Sequence, residues 1–292
     1  MGAPVLDHCW SNDGSAVFIA GCSNKVMMWD LNKGNNNDAF VEVGSHNAPI
    51  KCVYAIPNND IIVTGGWDNM LRYWDLRQNN GKAAIEVNLP ERVYAMDVRN
   101  QTLVVGCGGA AKQLAIINLS SPGYIQRTQE SPLKFQTRSI RIFHDEKFFA
   151  VSSIEGRCAI RCTNEADDKA VDQTGKSRYS FAFKCHRDEK FIYSVNGVDC
   201  FPVNKYYSVF ATTGSDGTFT FWDKDKRQRI KEYNRNVKVP IVDCKYNSTG
   251  DLFAYAHSYD WSRGAENYDQ QNMAPQLYIH NVKEQGDCYR PM

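Results

Sequence analysis

One-on, one-off runs of apolar residues recur along the chain, each preceded by a polar turn. "DIIVTGG" (Asp60 to Gly66) and "MLRYWD" (Met70 to Asp75) are two such runs around "WDN". A strand sends alternate side chains to opposite faces, so each run predicts a strand and the pair predicts a hairpin. No stretch shows the 3.6-residue period of an amphipathic helix of useful length. Similar closing strands end at Asp30 ("KVMMWD"), Asp75, Asn118 ("QLAIIN"), Cys162 ("RCAIRC"), Asp223 ("TFTFWD") and Asn281 ("QLYIHN"). The first three intervals are about 43 to 45 residues and the last two about 60, against about 40 to 45 for a four-stranded blade. Polar, turn-rich stretches at Asn164 to Ser177 and Ser258 to Ala274 account for the excess as surface loops.

Six strand–turn–strand–closing-strand repeats, three of them with Trp-Asp ends, predict an all-β chain, a WD-repeat β-propeller forming one domain over residues 1–292. Each closing Trp is expected to anchor its blade between neighbouring sheets. In the second repeat His46, Thr64, Asp68 and Trp74 are placed for a buried chain of hydrogen bonds, Asp to His to hydroxyl to indole. These residues have a triad's composition, and the expectation for them is structural. Asp216, Thr213 and Trp222 repeat three members, with no histidine assigned to them. Asn24 stands for the Asp in the first repeat.

Charge and composition narrow the function classes. With 34 basic and 33 acidic residues among 292, the chain offers no bulk field for nucleic acid or membrane, so any such contact needs a local patch. Apolar runs fall short of a membrane span. The start "MGAPVLDHCW" lacks a secretory pattern, and position 6 is Leu, so the myristoylation pattern fails. The ten cysteines include no C-x-x-C pair, and are expected as reduced thiols of a cytosolic or nuclear protein, without disulfides or zinc. There is no G-x-S-x-G, H-E-x-x-H or Walker loop, and "GCGGAAK" (Gly106 to Lys112) has turn rather than phosphate-loop spacing. No enzyme, catalytic residue, cofactor, metal or small-molecule substrate is expected.

Several segments are more specific: "LPERVYAMDV" (Leu89 to Val98), "ESPLKFQTRSIRIF" (Glu130 to Phe143), "SSIEGRCAIRC" (Ser152 to Cys162), "FAFKCHR" (Phe181 to Arg187), "GSDGTFTFWDKDKR" (Gly214 to Arg227) and "FAYAHSYDWSRGAE" (Phe253 to Glu266). From Ala3 to about Val282 the chain resembles the poly(A) mRNA export factor family of nuclear-pore WD-repeat proteins. The sister family, the WD-repeat scaffold of the mitotic spindle checkpoint, shares the "SIEGR" and "KCHR" type motifs, and "SPLK" and "SYDWS" favour the export factor. That family has seven blades and this sequence matches from the second onward, so a missing first blade is expected, with Val5 to Trp10 as an unpaired edge.

The resemblance implies a nuclear protein at the pore and envelope that shuttles to the cytoplasm. It implies binding of an acidic nucleoporin segment, the GLEBS motif, with Arg157 and Arg187 near that face and Lys184 and Tyr193 as further contacts. A planar guanidinium holding a carboxylate through two hydrogen bonds suits that role. "KDKRQRIK" (Lys224 to Lys231) implies single-stranded RNA contact through Lys224, Lys226, Arg227 and Arg229, beside Phe221 and Trp222. The family's groove carries an aromatic where this chain has Cys200 and Phe201. The alternative is a checkpoint scaffold that binds mitotic kinases or spindle proteins.

Overall fold

A computed structural model describes residues 2–285 except 35, 79–80, 111, 204–205, 235–238 and 272. The chain divides into two compact units, Met1–Ser131 and Pro132–Met292. The first unit holds three antiparallel four-stranded sheets. They are β1 to β4 (Val5–Trp10, Ala16–Gly21, Lys25–Asp30, Phe40–Ser45), β5 to β8 (Ile50–Ala55, Ile61–Gly66, Met70–Asp75, Ile85–Asn88) and β9 to β12 (Val93–Arg99, Thr102–Cys107, Gln113–Asn118, Arg127–Glu130).

The second unit holds β13 to β16 (Thr137–Ile142, Phe148–Ser153, Arg157–Cys162, Phe181–Lys184), β17 to β20 (Val195–Cys200, Val209–Gly214, Thr218–Asp223, Gln228–Asn234) and a three-stranded sheet, β21 to β23 (Ile241–Tyr246, Leu252–His257, Gln276–Asn281). Within each sheet every strand pairs with the next in the chain, as in the blades of a propeller. The six closing strands end at the residues that the repeat marks. Among the described residues helix is confined to short pieces, including α1 (Glu165–Lys169) inside the first expected loop. β1 pairs with β2 and leaves Val5 and Trp10 exposed.

Alternation survives only where a strand has a wet face. β16, "FAFK", alternates half-buried and exposed. β17 and β18 are buried at every position, because apolar side chains cover both faces of those sheets. In the first unit Phe18, Ala20, Val26, Ile50, Val53, Ile62 and Trp74 share one core. A Cβ on Gly44 would lie 2.0 Å from the Trp74 ring. The indole is therefore seated against a bare backbone of the preceding sheet, which is the anchoring role expected of it. In the second unit an aromatic core gathers Phe219, Phe221, Tyr246, Phe253 and Tyr255.

Candidate functional site

The second sheet carries the buried chain. The His46 imidazole is buried, and burial pulls its pKa below the usual value, which favours the neutral ring. Its Nδ1–H donates to Asp68 Oδ1 at 2.9 Å, and its Nε2 accepts from Thr64 Oγ1 at 2.8 Å. Trp74 Nε1 donates to the same hydroxyl at 2.8 Å. Arg72 Nη1 holds the other Asp68 oxygen at 2.8 Å. Burial pushes Asp68 up, but the bonds from His46 and the Arg72 charge outweigh it and leave the carboxyl below its ordinary range. A network so fully bonded fixes a turn to a sheet and has no free nucleophile.

The fifth sheet builds a second chain that includes a histidine the sequence reading left out. His186 Nδ1 donates to Asp216 at 2.9 Å, and its Nε2 accepts from Thr212 Oγ1 at 2.9 Å. Trp222 Nε1 donates to Thr212 Oγ1 at 2.9 Å. The hydroxyl is that of Thr212, not the expected Thr213, because residues ten before the Trp share its face across β18 and β19, as Thr64 does for Trp74. Asn24 also shifts role. With φ +61 it occupies the left-handed turn place of Asn69 (φ +64), which makes Ser23 the counterpart of Asp68.

Arg157, Lys184, Arg187 and Tyr193 gather at one end of the fourth sheet. Arg157 opens β15, and Lys184 is its cross-strand neighbour on β16. Gly156 supplies the left-handed residue (φ +60) of the β14–β15 turn. Arg187, just beyond β16, donates from Nε to Gly156 O at 3.0 Å and from Nη2 to Glu155 O. Tyr193 returns alongside, its N–H on His186 O at 3.0 Å and its hydroxyl on Asp188 Oδ2 at 3.1 Å. The Glu155 carboxylate accepts the backbone N–H of Lys134 at 2.7 Å and lies 3.6 Å from Arg157 Nε. His186 and Arg187 are adjacent, so the buried chain and this basic end brace each other.

Apolar surface flanks the charges. Phe135, Ile154, Phe191 and Ile192 are exposed. In the β22–β23 connection, which leaves the sheets at the same end, Trp261 is 59% exposed and stacks on Tyr268 at 5.4 Å, and Tyr259 lies 5.4 Å from Trp261 and 5.7 Å from Tyr268, so the three rings cluster. Trp261 also has φ +59, an uncommon conformation for a bulky residue. In the sequence "SYDWS" marks the resemblance alone, and this exposed ring is not among the expected contacts. A Trp inside a polar, turn-rich loop was the available signal, since the loop gives the ring no sheet to anchor.

The "KDKRQRIK" stretch starts at the opposite end of the fifth sheet, Lys224 to Arg227 forming the β19–β20 turn and Gln228 to Lys231 opening β20. Lys224 is turned inward, which corrects its expected place in an RNA patch. Its ammonium sits 4.3 Å from the Phe148 ring centre and 4.8 Å from that of Tyr207, and it pairs with Asp225 at 2.7 Å. Cation–π attraction and one carboxylate offset its desolvation. Lys226, Arg227 and Arg229 are exposed. Arg227 donates to Arg178 O at 2.7 Å and lies over the Phe181 ring, and Arg229 pairs with Glu232. Phe221 is buried, and Trp222 packs on Phe183 at 4.6 Å, so neither is a base-stacking platform. Cys200 and Phe201 are also buried in core clusters, which removes Cys200 from the expected groove.

Nine cysteines among the described residues stand in no disulfide. Burial pushes the Cys9 and Cys107 thiols up to about 12, away from reactive thiolate. Among the described residues no group of three potential ligands could hold a metal ion, and no helix is long and apolar enough to cross a membrane.

Six antiparallel sheets joined in chain order, two of them closed by Asp–His–Thr–Trp chains, define a WD-repeat β-propeller protein. The family described as "WD domain, G-beta repeat" matches residues 40–75. The chain is 39% identical to protein Rae1 of Drosophila melanogaster, over 98% of this chain and 79% of that protein. It is 40% identical to the poly(A)+ RNA export protein of Schizosaccharomyces pombe, over 99% of this chain and 78% of the other. Identity to mRNA export factor GLE2 of Chaetomium thermophilum is 38%, over 99% and 76%. The chain belongs to the mRNA export factor family of WD-repeat proteins.

Proposed function

We propose that this chain is a non-enzymatic adaptor in nuclear mRNA export, docking at the nuclear pore by holding an acidic GLEBS-type nucleoporin segment. One observation carries the reading. Arg157 and the segment carrying Lys184, Arg187 and Tyr193 share one end of the fourth sheet with exposed Phe135, Ile154, Phe191 and Ile192. Arginine and aromatic side chains amid apolar surface are the usual makeup of a peptide-binding hot spot. The names of the relatives, RNA and mRNA export proteins, support the cellular role. A protein of that role resides in the nucleus and at the pore, and shuttles to the cytoplasm.

The test is a calorimetric titration of the full chain with a GLEBS-type peptide and, separately, a checkpoint-kinase peptide. Preference for the first is expected. Preference for the second would transfer the chain to the checkpoint reading, and binding of neither would remove both.

Single-stranded RNA contact forms a weaker part of the proposal and rests on Lys226, Arg227 and Arg229. Neutralising all three is expected to make the salt dependence of RNA binding shallower, by up to about 2 in the log–log slope at about 0.7 per phosphate contact. An unchanged slope would dismiss the patch.

A further inference from the structure

The first strand of each sheet carries one unpaired residue near its start: Leu6, Lys51 and Tyr94 in the first unit, Arg138, Asn196 and Val242 in the second. Such a bulge bends the strand and re-aims a side chain, and its recurrence at one register makes it a feature of this fold. In the second unit β13, β17 and β21 lie side by side, so neighbouring bulges meet. Arg138 Nη2 donates to Asn196 Oδ1 at 3.3 Å. Asn196 Nδ2 donates to Ile241 O at 3.0 Å and to Ser215 Oγ at 3.1 Å. The Ser215 hydroxyl donates to the Asp260 carboxylate, which also accepts the Ser262 hydroxyl at 2.7 Å.

Arg138 is under-bonded in this network. A guanidinium has five N–H groups, and the long bond to Asn196 is the one Arg138 makes among the described residues. Its Nε is buried without an acceptor. Arg141 and Arg161 also have a buried, unbonded Nε, yet each stands in an ion pair, with Asp199 and Asp168 respectively. Among the described residues Arg138 stands in no ion pair; the carboxylate whose charge acts on it is Asp260, which is itself held by the Ser215 and Ser262 hydroxyls. A half-buried guanidinium left in this state has N–H groups to offer an oxyanion from outside.

We propose that Arg138, aimed by its bulge and steadied by Asn196, is a subsite for a single carboxylate of the acidic segment that docks on this end of the second unit. The assignment rests on the function proposed above and adds a specificity residue outside the basic cluster around Arg157 and Arg187. The start of β13 and the β14–β15 turn are paired at this end, Thr137 with Ser153, so one extended segment can reach both places. Local charge favours a peptide over RNA. Glu155, Asp188 and Asp260 stand at the same end, and a polyanion charged at each nucleotide would meet them, whereas a peptide can present isolated carboxylates.

The test uses the full chain and a GLEBS-type peptide bearing several glutamates, each changed singly to Gln. Arg138→Gln is expected to weaken binding about tenfold. One peptide Glu→Gln change should weaken wild type comparably and leave the Arg138→Gln protein unaffected. Wild-type binding combined with undiminished Arg138→Gln binding would overturn the subsite and leave the adaptor function standing. If wild type binds no peptide, the adaptor reading fails. The Arg138 Nε–Hε NMR signal, assigned by its loss in Arg138→Lys, then decides the subsite alone. A shift on adding sodium acetate upholds it. No shift, or a shift only with an RNA oligonucleotide, overturns it. If Arg138→Gln fails to fold, the peptide substitutions and the acetate titration on wild type carry the same decision.

Discussion

Thr64→Val is expected to destabilise the first unit by about 2–4 kcal/mol, and Thr212→Val the second unit by a similar amount. Each hydroxyl serves two buried partners at once. Thr64 Oγ1 receives the Trp74 indole N–H and gives its proton to His46 Nε2, and Thr212 does the same for Trp222 and His186. Valine keeps the shape and removes both bonds. An indole N–H and an imidazole nitrogen are then left buried without partners, at about 1–3 kcal/mol each. Thr213→Val is the control. Thr213 is equally buried and adjacent in sequence, but its hydroxyl takes no part in the chain, so a change within about 1 kcal/mol is expected. Urea unfolding followed by tryptophan fluorescence reads all three. A Thr213→Val loss as large as that of Thr212→Val would defeat the assignment, and a Thr64→Val loss below about 1 kcal/mol would show that the chain contributes little.

The contrast between the two hydroxyls explains which parts of this molecule were readable from sequence. The six closing strands were legible because apolar alternation repeats them and three carry Trp-Asp ends, and the structure ends them where the pattern does. The chain through His46 was legible because histidine, threonine, aspartate and tryptophan fall in one uninterrupted repeat. Its counterpart was obscured by an excursion. Between His186 and β17 the chain makes a small detour, bridged by Arg187 and Ile192, so the histidine lies farther from its aspartate than His46 does. Counting ten residues back from Trp222 would still have found Thr212.

Other features leave no linear trace. A run such as "KDKR" gives the sign of the charges but not the path of the turn, and the turn sends Lys224 between two rings while Lys226 stays outside. A bulge adds one residue to a strand without changing its composition, so Arg138 read as an ordinary strand residue. Cys200 was placed by resemblance alone, and burial decides its surroundings.

Arg187→Glu is expected to weaken binding of an acidic GLEBS-type peptide by about tenfold or more, since truncating one partner of a desolvated charge pair costs about 2–5 kcal/mol. The geometry complicates a simple charge reversal. Arg187 already donates to the carbonyls of Glu155 and Gly156, so the substitution also loosens the β14–β15 turn that carries Arg157. A purely structural role and a direct contact would both lower affinity. They separate on the partner's side. If the guanidinium meets a carboxylate, a peptide with lysine in place of the contacted glutamate should bind the Arg187→Glu protein better than the acidic peptide does, and bind wild type worse. A loosened turn alone predicts that every peptide weakens in parallel. Arg187→Lys adds a second axis, because it keeps the charge but lacks the planar fork that spans two acceptors. Its affinity should fall between wild type and Arg187→Glu. Calorimetric titrations of the three proteins against the two peptides give the answer, and equal affinity of wild type and Arg187→Glu for the acidic peptide would refute the contact.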